Sequence, residues 1–199
     1  LFGTNEDYMQ LLFNPETRGL SGLGYIVMFA PIGFVLAMSL GWQRWSSSVI
    51  LLLFLAYSVV MGMSLSFIFL VYTQSAIYST FGIAAAMFGT MALLGYTTKT
   101  DLTKFGSIMM MALFGIIIAS LINMFAHSSG LDYIISFVSV LVFTGLTAYD
   151  VQKLKEIGYG TEAGSETTAK LSILGALTLY LDFINLFLAL LRLFGSRRD

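Results

Sequence analysis

The chain has 199 residues, of which 57% are hydrophobic and 11% charged, with a formal charge of −1. Soluble domains carry about 25% charged residues, so this composition marks an integral membrane protein. The small net charge gives no reason to expect nucleic acid as a partner; the lack of cysteine excludes disulfides, iron–sulfur clusters and thiolate metal sites, and the one histidine, His127, leaves no multi-histidine metal centre.

A membrane span needs about 20 predominantly apolar residues. Six segments qualify, so the expected fold is all-α, a helical bundle of six spans in a single membrane domain over residues 1–199. Residues 1–21 are polar with some apolar positions and read as a segment outside the cytoplasm, with a short interfacial helix ending before Pro15. The chain starts at Leu1 with no cleavable signal, and a further apolar span is expected upstream. The first span lies near 22–41, where Pro31 and Gly33 predict a kink. It ends in "GWQRW", whose Trp42 and Trp45 read as interface anchors. Arg44 between them is either a plain cytoplasmic-side charge or a latch that pairs with Asp150. The second span lies near 48–72 and the third near 75–96, in which Gly82, Ala86 and Gly89 form a small-residue face that signals tight packing. The fourth, near 105–126, carries Asn123, expected to hydrogen-bond another helix. The fifth, near 132–151, closes on Thr147 and Asp150, with Lys153 and Lys155 close enough in sequence to pair with that acid. Residues 152–170, "QKLKEIGYGTEAGSETTAK", read as a solvent-exposed mobile loop. The last span lies near 171–194.

Lysine and arginine in short loops set orientation. Loops 42–47, 97–104 and 152–170 hold six such residues and the facing segments hold Arg18 alone, which puts the first set in the cytoplasm. The tail opposes this, because Arg192, Arg197 and Arg198 fall on the side of residues 1–21. Either the tail is an exception, which is the reading adopted, or the last segment does not cross fully.

That last segment contains "LTLYLDFINLFLALLRLFG", with Asp182 inside it. A charge at the centre of a spanning helix costs roughly 2.5–3.5 kcal/mol on insertion scales. Gly175, Thr178, Asp182, Asn185, Ala189 and Arg192 recur at steps of three and four, so they form one stripe of a helix. Such a stripe packs against other helices or lines a cavity, and Asp182 points into the bundle. One reading makes Asp182 a hydrogen-bonded packing residue; the other makes it a carrier of ions or protons. Asp150 gains interest if it meets Asp182: two carboxylates in a poorly hydrated interior hold one proton between them, and calcium competes for the same oxygens.

Three stretches resemble the Bax inhibitor-1 family, the transmembrane Bax inhibitor motif proteins, and most nearly its bacterial branch. "LTLYLDFINLFLALLRLFG" is similar to the family's C-terminal signature, "TAYDVQKLK" to the end of its sixth helix, and "GYTTKTDLTKFGS" to its central cytoplasmic loop. The resemblance implies seven membrane helices, the six seen here being the second to seventh, with the last central and wrapped by the others. It implies a bacterial inner membrane and a pH-sensitive calcium leak. The family's paired acids fall on Asp150 and Asp182, which then serve as ion path, pH sensor and calcium ligands, and its basic residue falls on Arg44. Asn123, Thr147, Thr178 and Asn185 would be supporting polar groups. One departure is "FAPIGF", which is uncharged where some members carry an acid.

The leading expectation is a calcium-permeable leak channel or exchanger gated by protons, since carboxylates suit the hard oxygen preference of Ca²⁺. It needs no cofactor, and its partners are the lipid bilayer, Ca²⁺ and protons. The alternative is a non-transporting regulator that binds a membrane protease or another membrane protein. An enzyme is not expected: the two aspartates lack a GxGD context, and no GxxxxGK[ST], GxSxG or HExxH pattern occurs.

Overall fold

A computed structural model describes residues 12–14, 19–162 and 164–196. The interfacial helix expected before Pro15 falls almost wholly outside the described residues. What is described begins with a short antiparallel pair, β1 (Phe13–Asn14) and β2 (Gly19–Leu20), with Phe13 opposite Leu20. Helices follow: α1 (Gly22–Gly41), α2 (Ser47–Leu65), the single turn α3 (Ile68–Val71), α4 (Gln74–Thr97), α5 (Thr103–Ala126), α6 (Ser129–Gly160) and α7 (Glu166–Phe194). With α2 and α3 taken together, six helical segments are long and apolar enough to cross a membrane. The chain is an all-α integral membrane protein.

The described residues form two compact units. One contains α1, α2, α3 and the start of α7 up to Leu174; the other contains α4 from Ser75, α5, α6 and α7 from Gly175.

In the first unit α1 packs along α2. Helix α1 runs through Pro31. A proline has no N–H, so the carbonyl four residues earlier, on Val27, loses its helical partner. The hydroxyl of Ser64 on α2 donates to that carbonyl, a repair that hydrocarbon demands because no water is at hand. Serine also starts the helices: the side chains of Ser21 and Ser46 accept from the amides of Gly24 and Val49. Glu166, in the first turn of α7, accepts from both the amide and the hydroxyl of Ser47, so a carboxylate sits at the positive N-terminal end of α2. The second span, expected as one helix over 48–72, is interrupted at Ser66 and Phe67. The buried Ser66 hydroxyl donates to the carbonyl of Met63 at 2.6 Å, a local bond that competes with continued helix.

In the second unit α6 and α7 are the buried helices. Half of the apolar window of α6 and 44% of that of α7 are buried, against 22% or less for the other spans. The last helix, expected as the central one wrapped by the others, is one of two buried helices, and α6 is buried slightly more. Phe183 of α7 meets Phe81 and Phe88 of α4 edge to face at 5.4 and 5.5 Å between ring centres.

The small-residue face expected at Gly82 and Gly89 is not a close contact, since nothing lies within 4 Å of a Cβ placed at either. The close approach of α4 is at Gly95, where a Cβ would fall on the carbonyl oxygen of Ala148 in α6. Gly175 of α7 likewise lets the side chain of Leu154 lie against its backbone.

The loop expected over 152–170 is mostly helix: α6 continues to Gly160 and α7 begins at Glu166. The polar composition that suggested a loop instead makes contacts. Gln152, 8% exposed, accepts from the Leu102 amide at 2.8 Å and donates to the Thr100 carbonyl at 2.9 Å. Lys155 donates to the Tyr96 carbonyl at 2.7 Å and lies over the Tyr96 ring. These bonds hold the connection between α4 and α5 onto α6 just beyond Asp150. In that connection Asp101 accepts from the Thr103 amide at 2.8 Å, and Thr103 holds the Asp101 carboxyl below its ordinary range, its side-chain hydrogen bond first and its backbone bond second. Replacing Gln152 by Leu removes both bonds, each worth about 0.5–1.5 kcal/mol, because the exposed Thr100 and half-buried Leu102 can turn to water. The Gln152→Leu variant is expected to unfold at lower temperature; an unchanged midpoint would show that the clamp contributes nothing.

Candidate functional site

The stripe read on the last span faces a cavity of about 670 Å³ within the second unit. Helix α7 contributes Thr178, Asp182, Asn185 and Arg192; α6 contributes Ser139 and Asp150, with Phe143 and Leu146 between them; α5 supplies an apolar wall that includes Ile117, Leu121 and Met124. The charged groups of the lining all come from α6 and α7, while α5 adds Ser120 to an otherwise apolar wall. The two remaining members of the stripe pack instead: Ala189 is fully buried and Gly175 is covered by Leu154.

Asp150 and Asp182 meet in this cavity, their carboxyls within hydrogen-bonding range of each other. Two carboxylate oxygens have no donor between them, so contact of this kind needs a proton, a cation or a water between the two groups. Asp182 is 4% exposed, and its Oδ2 has no hydrogen-bond partner among the described residues. A buried oxygen without a donor is costly unless a proton, a water or a cation reaches it. Among the described residues no third acidic or histidine side chain joins the two to make a metal cluster.

Among the described residues neither lysine that sequence offered as a partner forms an ion pair with Asp150. Lys153 is over the Tyr149 ring at 5.8 Å and Lys155 is over Tyr96 at 4.9 Å.

The supporting polar residues divide. Asn185 donates from Nδ2 to the Leu181 carbonyl at 2.8 Å and lines the cavity, as Thr178 does. Thr147 is fully buried, and its hydroxyl donates to the Phe143 carbonyl at 2.7 Å on its own helix. Asn123 does not bond into a neighbouring span; its Oδ1 accepts from the Ser128 amide at 3.0 Å in the turn between α5 and α6. That turn needs the bond because His127 closes α5 in the left-handed conformation, φ 49°. Arg44 lies exposed in the turn after α1, in the first unit, and its pairing with Asp150 remains an expectation from sequence.

Sequence reading passed over Gln152, because it fell in a segment read as loop. Continuing the helical period beyond Asp150 would have placed it on the helix. Arg192 carries two readings in the sequence, as a tail charge and as the last member of the stripe, and it lines the cavity as the stripe requires.

Comparison with known proteins agrees with this architecture. Residues 8–199 match the model of a family described as inhibitor of apoptosis-promoting Bax1. The inner membrane protein YbhL of Escherichia coli is 49% identical over 191 residues, 96% of this chain and 80% of that protein. A protein of Rickettsia prowazekii is 48% identical over 179 residues, 90% of this chain and 75% of its own. One of Borreliella burgdorferi is 51% identical over 167 residues, 84% of this chain and 72% of its own. A match over nearly the whole chain, joined to six spans and a polar stripe on the last of them, means that the chain belongs to the Bax inhibitor-1 family, as an integral inner-membrane protein.

Proposed function

We propose that this chain passes Ca²⁺ across the membrane as a pH-sensitive leak channel or exchanger of the Bax inhibitor-1 type, gated by Asp150 and Asp182. The observation that carries this reading is the meeting of the two carboxyls in a cavity of a membrane-spanning unit. Intramembrane acids mark ion and proton paths by default, because their insertion cost is otherwise unrewarded. Ca²⁺ takes six to eight oxygen ligands. Two carboxyls with Thr178 and Asn185 beside them offer fewer charged ligands than a tight calcium site. A permeant ion must be held well enough to enter and loosely enough to leave, which favours such a partial set. The cargo is Ca²⁺ and protons, and the reading involves no bond-breaking step and no resident cofactor.

The test is Ca²⁺ uptake into liposomes that contain only this protein, compared with the Asp182→Asn variant. Asn keeps the shape and one acceptor and removes the charge. Flux well above empty liposomes that changes about tenfold in the variant supports the proposal. Well-inserted protein without flux would reject it in favour of the regulator, in which Asp182 is a packing residue.

A further inference from the structure

The cavity that holds the aspartates is open on one side. Its α5 wall includes Ile117, Leu121 and Met124, which are 47%, 54% and 59% exposed. Only 6% of the apolar window of α5 is buried. Exposed apolar side chains on a spanning helix face acyl chains, so the groove opens sideways to lipid. Where α7 ends, the lining includes Arg192, exposed and without an ion pair among the described residues.

Distance along α7 links the two ends. Asp182 and Arg192 are separated by about ten residues, or roughly 15 Å at 1.5 Å per residue. Half of a bilayer's hydrocarbon core is also about 15 Å. A headgroup at the level of Arg192 thus places the end of its acyl chain near the aspartates.

We propose that this groove binds one anionic phospholipid of the surrounding bilayer, with its phosphate on Arg192 and an acyl chain lying along α5 and α7. Charge complementarity selects the headgroup, because a guanidinium matches phosphate oxygens in a two-pronged hydrogen bond. The apolar wall of α5 selects the chain. The site also gives a reason for an arginine at the end of the last span, where the loop charges oppose it. It stands without the transport reading; if that reading holds as well, the chain occupies space that a permeating ion would need.

The test uses the full chain in nanodiscs of phosphatidylcholine doped with phosphatidylglycerol that carries a diazirine in its acyl chain. It reads covalent labelling and not flux, so its failure is distinct from failure of the channel proposal. In the wild-type protein the label is expected at Ile117, Leu121 and Met124, displaced by unlabelled phosphatidylglycerol and not by phosphatidylcholine. Arg192→Gln should reduce labelling about fivefold, the factor that one arginine contributes near an anionic surface. Leu121→Trp keeps Arg192 and fills the groove, and should remove the label there. Equal labelling by a phosphatidylcholine probe, label spread evenly over α5, or label that survives Leu121→Trp would each overturn the site. The competition experiment needs no variant and decides the matter if Arg192→Gln does not fold.

Discussion

Calcium flux through the wild-type protein is expected to change in one step as pH rises, and the step is expected to vanish in both Asp150→Asn and Asp182→Asn. In the proposed gate the two carboxyls, which line one cavity from α6 and α7, share a proton, and that proton makes the hydrogen bond between the two helices. Losing the proton replaces the bond with repulsion, which for two unit charges about 4 Å apart is roughly 4 kcal/mol at a protein-like dielectric. The tie is therefore present at low pH and lost as pH rises. In either variant the asparagine amide donates to the remaining carboxyl at any pH, so the tie no longer titrates. Hydrogen bonds to charged groups contribute about 1.5–3 kcal/mol, so a tenfold or larger difference in flux is the expected scale. Lys153 and Arg192 add positive charge near the pair and at the far end of the cavity, which shifts the position of the step without removing it. Ca²⁺ competes for the same oxygens, so raising Ca²⁺ should move the step to lower pH. A flat wild-type profile, or a step that survives either substitution, would rule out the shared proton.

Gly95→Ala is expected to be among the most destabilising single-methyl additions in the chain. Its Cβ would fall on the carbonyl oxygen of Ala148 and within 2.8 Å of the Ala148 Cα. Those atoms are helix backbone and cannot rotate aside, so α4 and α6 must separate. Overpacking of this kind costs about 1–3 kcal/mol, and backbone contact puts Gly95 at the upper end. The control is Gly89→Ala on the same helix, where nothing lies within 4 Å. There alanine relieves a weak helix position, worth up to about 1 kcal/mol. The thermal midpoint in detergent should fall for Gly95→Ala and stay or rise for Gly89→Ala; equal midpoints would mean that α4 and α6 are not in close contact. Ala148 precedes Asp150 by half a turn, so separation of these helices should also disturb the paired acids.

The six spans and the stripe on the last of them were readable from the sequence by itself. Lipid imposes a nearly one-dimensional rule: an apolar run of sufficient length becomes a helix, because its backbone has no other way to satisfy its hydrogen bonds. The helical period then puts Thr178, Asp182, Asn185 and Arg192 on one face without any knowledge of neighbours. The same rule failed where water begins. Residues 152–160 are polar and were read as loop, yet Gln152 and Lys155 continue α6 by bonding Thr100, Leu102 and Tyr96, partners some fifty residues or more away in sequence. Gly82 and Gly89 looked like packing glycines and Gly95 did not, because a glycine becomes a contact only when another helix arrives at its height. Asp150 and Asp182 each had a plain reading alone, as an interfacial charge and as a packing acid. Their meeting depends on the register of α6 against α7, set by packing such as Leu154 on Gly175, which is a property of two helices together and is written in neither.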